Sequence, residues 1–403
     1  MSNSITFLHA ADLHLDSPFK GLTDVPDEIF QSIRKSTFQA FDRLIEVAIE
    51  KRVDFVLIVG DLFDHECQSL KAQLHLRDGF ERLNQEQIYV YLSYGNHDFL
   101  SGNPYPIEFP ENVFVFPSEE VSSFTFRKNG QKLANIYGFS YEKRDVNENK
   151  AQQFTITDQA IPFHIAMLHG MVHGASDHDP NAPFRLEDLR NEPFDYWALG
   201  HIHKREILQS NPPVVYPGNI QGRHRKETGE KGCYFVEMDE SDVHLQFIPL
   251  QAFTIIHEEI NLTNFSNMTD IKDFLIERME KTSYKPHLYK IDFYSNVKQN
   301  EELGINERIS ELVEIVNETF QSNEAFQYVY SYRLSITDEK ERAVDTLFME
   351  EIKEVVNSMD VLDEIKDLYN HRDARSYVSV QSETELLQEA YELLIDELHR
   401  KVR

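Results

Sequence analysis

The sequence predicts a layered α/β fold. It reads as two packed sheets flanked by helices, followed by a small α+β unit and a helical C-terminal region. Three observations predict this. Short runs such as Phe55–Val59 contain no polar residue, the pattern of strands buried on both faces. Longer segments between them repeat apolar residues at helical spacing. Several apolar runs end abruptly in a compact polar motif, at the strand-to-loop edge where layered α/β folds hold their ligands.

Each element follows from its own pattern. Ile5–Ala10 is a strand. Ile29–Lys51 places Ile33, Thr37, Phe41, Leu44 and Ala48 on one helical face. Phe55–Val59 is a buried strand, Leu70–Leu83 a second amphipathic helix and Ile88–Leu92 the next strand. Ser122–Arg127 and Leu133–Phe139 alternate around Lys128-Asn129-Gly130, and Asn-Gly is a strong hairpin signal. Phe163–Leu168 and Tyr196–Leu199 are further strands. Val214–Tyr216, Cys233–Met238 and Val243–Ile248 are expected to complete a second sheet. A boundary near Pro249–Phe253 closes a first domain over 1–250. Residues 251–338 run strand, helix, strand, helix, strand, a unit of ordinary domain size. The acidic stretch 339–403 is helical in pattern, with Leu387, Ala390, Leu394 and Leu398 on one face.

With 403 residues the chain has room for about two to three domains. No apolar run approaches the ~20 residues of a membrane span, and the first residues lack the basic and apolar regions of a signal peptide. Two cysteines, Cys67 and Cys233, are too few and too far apart for a disulfide framework, so a reducing, cytoplasmic setting is expected. The net charge of −29 repels nucleic acid at long range. Contact with DNA would need bound metals, a partner chain or a local basic patch. One such patch exists: Lys204 and Arg205, then Arg223, His224, Arg225, Lys226 and Lys231. Its competing reading is a solvated loop that offsets local acidity.

The motifs are Asp12-Leu13-His14, Gly60-Asp61-Leu62-Phe63-Asp64, Gly95-Asn96-His97-Asp98, Leu168-His169-Gly170 and Gly200-His201-Ile202-His203. Asp12 and His14 alternate about one residue, so an extended tip turns both to one face. His201 and His203 do the same. The Asp61 carboxylate has two oxygens and can bridge two ions; Asn96 is a neutral oxygen ligand. Carboxylate, carboxamide and imidazole without thiolate suit Mn²⁺, Fe²⁺ or Zn²⁺. Two such ions can clamp a phosphodiester and activate water. His65, His173 and His178, near these motifs, read as solvated loop residues.

The ordered set Asp-x-His, Gly-Asp-x-x-Asp, Gly-Asn-His-Asp, His-Gly and Gly-His-x-His resembles the calcineurin-like metallophosphoesterases. More narrowly it resembles the bacterial DNA-repair nucleases of the SbcD and YhaO type. The opening Phe7–Asp16, the apolar pair within Gly60–Asp64 and the loop Tyr216-Pro217-Gly218-Asn219-Ile220-Gln221-Gly222-Arg223 carry that resemblance, strongest over residues 5–225. It implies the two-sheet metallophosphoesterase sandwich for 1–250 and a capping, DNA-binding role for 251–338. It implies one metal on Asp12, His14, Asp61 and His203 and a second on Asp61, Asn96, His169 and His201, with Asp61 bridging. His97 would be the catalytic histidine and Asp98 would orient it. The implied activity is a Mn²⁺-dependent DNA exonuclease of DNA repair, dimeric, working with an SbcC- or YhaN-type SMC-like ATPase. The tail 339–403 would dock that partner. Where some relatives carry a histidine three places after the bridging aspartate, this chain has Asp64. The competing readings are a stand-alone phosphoesterase for a small phosphoester and a non-catalytic scaffold. Protein phosphatases of the superfamily carry Gly-Asn-His-Glu, which disfavours the first, and the intact ligand set disfavours the second.

Overall fold

The computed structural model describes residues 3–19, 21–22, 25–64, 68–102, 107–172, 181–320 and 325–337. The helical region 339–403 with its docking role lies outside them, as do His65, Cys67, His173 and His178. Among the described residues the chain divides into two compact units. One holds Met1–Ile260, Phe265–Asp292 and Arg308–Arg333; the other holds Asn261–Asn264, Phe293–Glu307 and 334–337.

In chain order the elements are β1 (Ser4–Ala11), α1 (Asp27–Lys51), β2 (Phe55–Val59), α2 (Leu70–Gln85), β3 (Tyr89–Ser93) and β4 (Val113–Val115). Then come β5 (Ser122–Lys128), β6 (Gln131–Gly138), β7 (Phe163–His169), β8 (Tyr196–Gly200), β9 (Glu206–Ser210) and β10 (Pro213–Tyr216). β11 (Gly232–Asp239), β12 (Val243–Pro249), β13 (Thr254–Asn261), α3 (Met268–Glu280), β14 (His287–Asn296), α4 (Val297–Leu303), α5 (Ile305–Phe320) and β15 (Gln327–Thr337) follow.

Two six-stranded sheets form the sandwich. The first runs β12-β11-β1-β2-β3-β4, with β1 to β4 parallel and β11 and β12 antiparallel additions. The second runs β5-β6-β7-β8-β10-β9, with β6, β7, β8 and β10 parallel. Here one expectation is corrected. β10 joins the second sheet, but β11 and β12 belong to the first, where His9 pairs with Tyr234 and Ser4 with Asp239. Without β11, β1 would leave a row of unpaired N–H and C=O groups at the edge, and β11 supplies their partners. That pairing joins residues far apart in sequence, so no local pattern announces it.

Strand β2 explains the layering. Its five residues are all buried. Phe55, Leu57 and Val59 enter the core between the sheets, with Phe7 and Tyr91 on one side and Ile136, Ile165 and Ala198 on the other. Val56 and Ile58 face the opposite way and pack under α1 and α2 against Phe41, Leu44 and Leu76. A pleated strand sends alternate side chains to opposite faces, so a strand covered on both must be apolar throughout. The β5–β6 turn is the expected hairpin, with Asn129 at φ 53° and Gly130 at φ 81°, as a two-residue turn requires.

Strands β13, β14 and β15 form a separate three-stranded sheet in the order β13-β14-β15. Phe253, Ile255, Leu288, Phe326 and Tyr328 share a cluster with Phe19, Leu22 and Ile33. Within the second compact unit, Asn296 caps α4 by accepting from Gln299 N at 2.8 Å. No helix of the described residues is long and apolar enough to cross a membrane.

Candidate metal centre

The parallel strands of both sheets deliver their C-terminal ends to one place. β1 ends at Asp12 and His14, β2 at Asp61, β3 at Asn96 and His97, β7 at His169 and β8 at His201 and His203. Register sets the ends level: Ala11 pairs with Val59, Val59 with Ser93 and His169 with Gly200. Asp12 N donates to Gly60 O at 3.2 Å and His14 N to Asp61 O at 2.9 Å, tying the first two tips together. Asp12, His14, Asp61 and His201 all sit at positive φ, between 43° and 94°. Aspartate and histidine enter that left-handed region more often than most residues. Glycines give the tips room: a Cβ on Gly95 would lie 2.2 Å from Asp61 Oδ1, and one on Gly200 would lie 2.1 Å from Val59 O.

Two groups of metal-ligating side chains result, Asp12 with His14 and His203, and Asp61 with His169 and His201. In the first, the Nε2 atoms of His14 and His203 are 3.0 Å apart. Two nitrogens each ~2.1 Å from one ion stand roughly 3.0–3.4 Å apart, from octahedral to tetrahedral angles. In the second, His169 Nδ1 donates to Val59 O at 3.1 Å. Nε2, the other ring nitrogen, faces Asn96 Oδ1 at 3.0 Å. His201 Nδ1 lies 3.2 Å from the same oxygen. Acceptors facing one another in this way are what a cation satisfies, so the residues fit one. Asp61 Oδ2 stands between the groups, 3.5 Å from His169 Nε2 and 3.7 Å from His14 Nε2.

The electrostatics favour neutral imidazoles and buried carboxylates. Burial, then the charges of Arg223 and the other histidines, hold His14 well below its usual range. Burial and His169 push His201 down to about 3. Neutral rings are the form that binds metal. Burial raises the carboxyl of Asp12. His203 is the exception. Burial opposes its charge, but the hydrogen bond and charge of Glu227 outweigh burial and lift it to about 9. Glu227 Oε1 lies 2.6 Å from His203 Nδ1, so Nε2 is the nitrogen left to bind metal in place of a proton.

Sequence reasoning missed Glu227. It sits inside the basic stretch 223–231 at no motif spacing, so only the fold reveals that it backs a ligand. Asp98 also differs from expectation. Its oxygens accept from Leu62 N at 2.6 Å and Gly95 N at 2.8 Å, which fastens the second motif to the third. The His97 ring is held instead by Asp64, whose carbonyl accepts from Nδ1 at 2.9 Å. Burial, with Asp61 adding to it, lifts Asp98 to about 7 against the pull of those N–H donors.

The basic residues separate. Arg223 forms an ion pair with Asp64, and its guanidinium also reaches Ser17 Oγ at 3.4 Å. Arg205 stacks on the Phe247 ring at 3.8 Å. Lys231 is buried and donates to His203 O at 3.0 Å. Lys204, Arg225 and Lys226 are exposed.

A two-sheet sandwich whose parallel strand ends converge on paired histidine–carboxylate groups defines a metallophosphoesterase. The calcineurin-like phosphoesterase family matches residues 5–205, and the chain belongs to that family. It is 39% identical to the metallophosphoesterase YhaO of Bacillus subtilis, over 96% of this chain and 95% of that protein. It is 27% identical to the DNA double-strand break repair protein Mre11 of Methanocaldococcus jannaschii, over 70% of this chain and 75% of that one. The Mre11 of Sulfurisphaera tokodaii is 22% identical over 92% and 94% of the two chains. The chain is therefore a hydrolase of phosphoester bonds whose relatives include proteins named for DNA double-strand break repair.

Proposed function

We propose that this chain is a two-metal, Mn²⁺-dependent DNA nuclease of DNA repair. The observation that carries the reading is the pair of donor groups with Asp61 Oδ2 standing between them, in a chain related to proteins named for double-strand break repair. Asp12, His14, Asp61 and His203 hold one ion; Asp61, Asn96, His169 and His201 hold the other. Bound there, two divalent ions supply Lewis acidity toward the phosphodiester and toward water. His97 keeps Nδ1 on the Asp64 carbonyl, which leaves Nε2 to hand a proton to the departing oxygen. Exposed Lys204, Arg225 and Lys226 meet backbone phosphates, and residues 251–338 cap the strand path. The chain acts in the cytoplasm as a homodimer with an SMC-like ATPase of the SbcC or YhaN type, docked by 339–403.

The test is digestion of a labelled DNA duplex and hairpin by metal-stripped protein, with and without added Mn²⁺ and with and without the ATPase. Mn²⁺-dependent digestion that a chelator stops is the expected result. Turnover of a small chromogenic phosphodiester with DNA left intact overturns the nuclease reading in favour of a stand-alone phosphoesterase.

A further inference from the structure

Behind their ligands the two donor groups are built differently. The His169 ring is backed by a main-chain carbonyl, Val59 O. The rings of His14 and His203 have carboxylates behind them. Glu227 Oε1 lies 2.6 Å from His203 Nδ1, and Asp64 Oδ1 lies 3.4 Å from His14 Nδ1. Both carboxylates converge on one residue. The backbone N–H of Arg223 donates to Glu227 Oε2 at 2.6 Å, and its guanidinium is paired with Asp64. Asn219 Nδ2 donates to the same Glu227 oxygen at 2.8 Å. The loop is seated against the ligand's main chain as well. Lys231 Nζ donates to His203 O, and a Cβ on Gly218 would lie 2.7 Å from that oxygen.

We propose that Arg223 is a positioning residue for the ion held by Asp12, His14 and His203. It fixes Glu227 behind one ligand and Asp64 behind another, so that this ion depends on the loop 217–231 and the other does not. The inference rests on the two-metal reading above. A carboxylate hydrogen-bonded to the far nitrogen of a ligating imidazole, as Glu227 is to His203, fixes its orientation and raises its basicity, and losing such a partner typically weakens metal binding about 10–100-fold; Asp64 stands behind His14 at ion-pair distance. The guanidinium is the counter-charge to the buried Asp64 carboxylate and adds to that of His203 beside Glu227. Side chains of Arg223 and Asp64 are only 13% and 8% exposed. An arginine so engaged is committed to Asp64 rather than to a DNA phosphate.

The experiment is calorimetric titration of the metal-stripped full chain with Mn²⁺, with electron paramagnetic resonance on the loaded samples. Glu227→Gln and Arg223→Gln are compared with wild type, and thermal unfolding confirms that each is folded. Expected is two-ion binding by wild type. In each variant one ion weakens about 10–100-fold and its partner keeps wild-type affinity, so the spin-coupled Mn²⁺ pair gives way to an isolated ion. Should a Gln variant not fold, Glu227→Asp and Arg223→Lys, which keep charge but lose reach or the planar fork, are read in the same way. Two ions at wild-type affinity in both variants, or equal weakening of both ions, overturns the proposal. So does a flattened salt dependence of duplex binding in Arg223→Gln with metals unchanged, which would make the residue a phosphate contact. A wild-type chain that binds fewer than two ions removes the two-metal reading itself, and the proposal falls with it.

Discussion

Strand interiors and strand ends of the same two sheets treat buried polar side chains in opposite ways. Inside β1, His9 is wholly buried and wholly satisfied. Nδ1 meets Tyr196 Oη at 2.9 Å and Nε2 meets Leu199 O at 3.1 Å. Burial pushes it down to about 3 against the pull of the Leu199 carbonyl, so it is a neutral member of the core. Just past the end of the same strand, His14 is equally buried, yet its nearest polar neighbours are two candidate ligand atoms, His203 Nε2 and Asp61 Oδ2, and the Asp64 carboxylate. Burial alone does not separate a core histidine from a functional one. What separates them is whether the surrounding donors and acceptors cancel, and beyond the strand ends they do not.

The comparison can be broken at either end. Asp61→Ala should have the largest effect: both ions leave and hydrolysis falls to background, because one carboxylate faces both groups. Metal analysis of the purified variant decides it, and retention of two tight ions ends the bridging role. His97→Ala should keep both ions yet lose roughly 10²–10⁴ in rate, the usual contribution of a positioned acid–base group. Loss of metal from that variant would make His97 a ligand. Replacing Lys204, Arg225 and Lys226 with Gln should weaken duplex binding and flatten its salt dependence by roughly 0.9 per lost phosphate contact, with small-diester turnover intact. An unchanged slope returns these residues to ordinary solvated surface. The smallest effect on chemistry belongs to the strand interior. His9→Leu strands a buried hydroxyl and a buried carbonyl, which costs roughly 1–3 kcal/mol. It should therefore lower the unfolding temperature and leave Mn²⁺ stoichiometry at wild type; a changed stoichiometry would mean that His9 belongs to the site.

Much of this was legible in the chain. Apolar runs long enough to be unmistakable, such as Phe55–Val59, located the parallel strands, and the motifs at their ends held the side chains that the fold gathers into two donor groups. What escaped was either short or distant. β4 has three residues and β9 is half exposed, so neither carries a periodic signal. α4 is a short polar helix held by the Asn296 cap. The placement of β11 beside β1 depends on which edge lies open, a property of the assembled sheet. Asp98 and Glu227 follow the same rule. Residue type and spacing say that a carboxylate can accept a hydrogen bond; which donor reaches it is decided by where two loops meet.

The left-handed backbone at Asp12, His14, Asp61 and His201 also shapes which sequences lie one substitution away. Such positions accept glycine freely and asparagine or aspartate with little penalty, whereas other residues meet about 1–2 kcal/mol of steric opposition. At Asp12 and Asp61 asparagine keeps the loop and gives up the charge. A lineage could thus silence this centre without disturbing the sandwich that carries it, and a metal-free scaffold on the same frame is a near neighbour of the enzyme in sequence space.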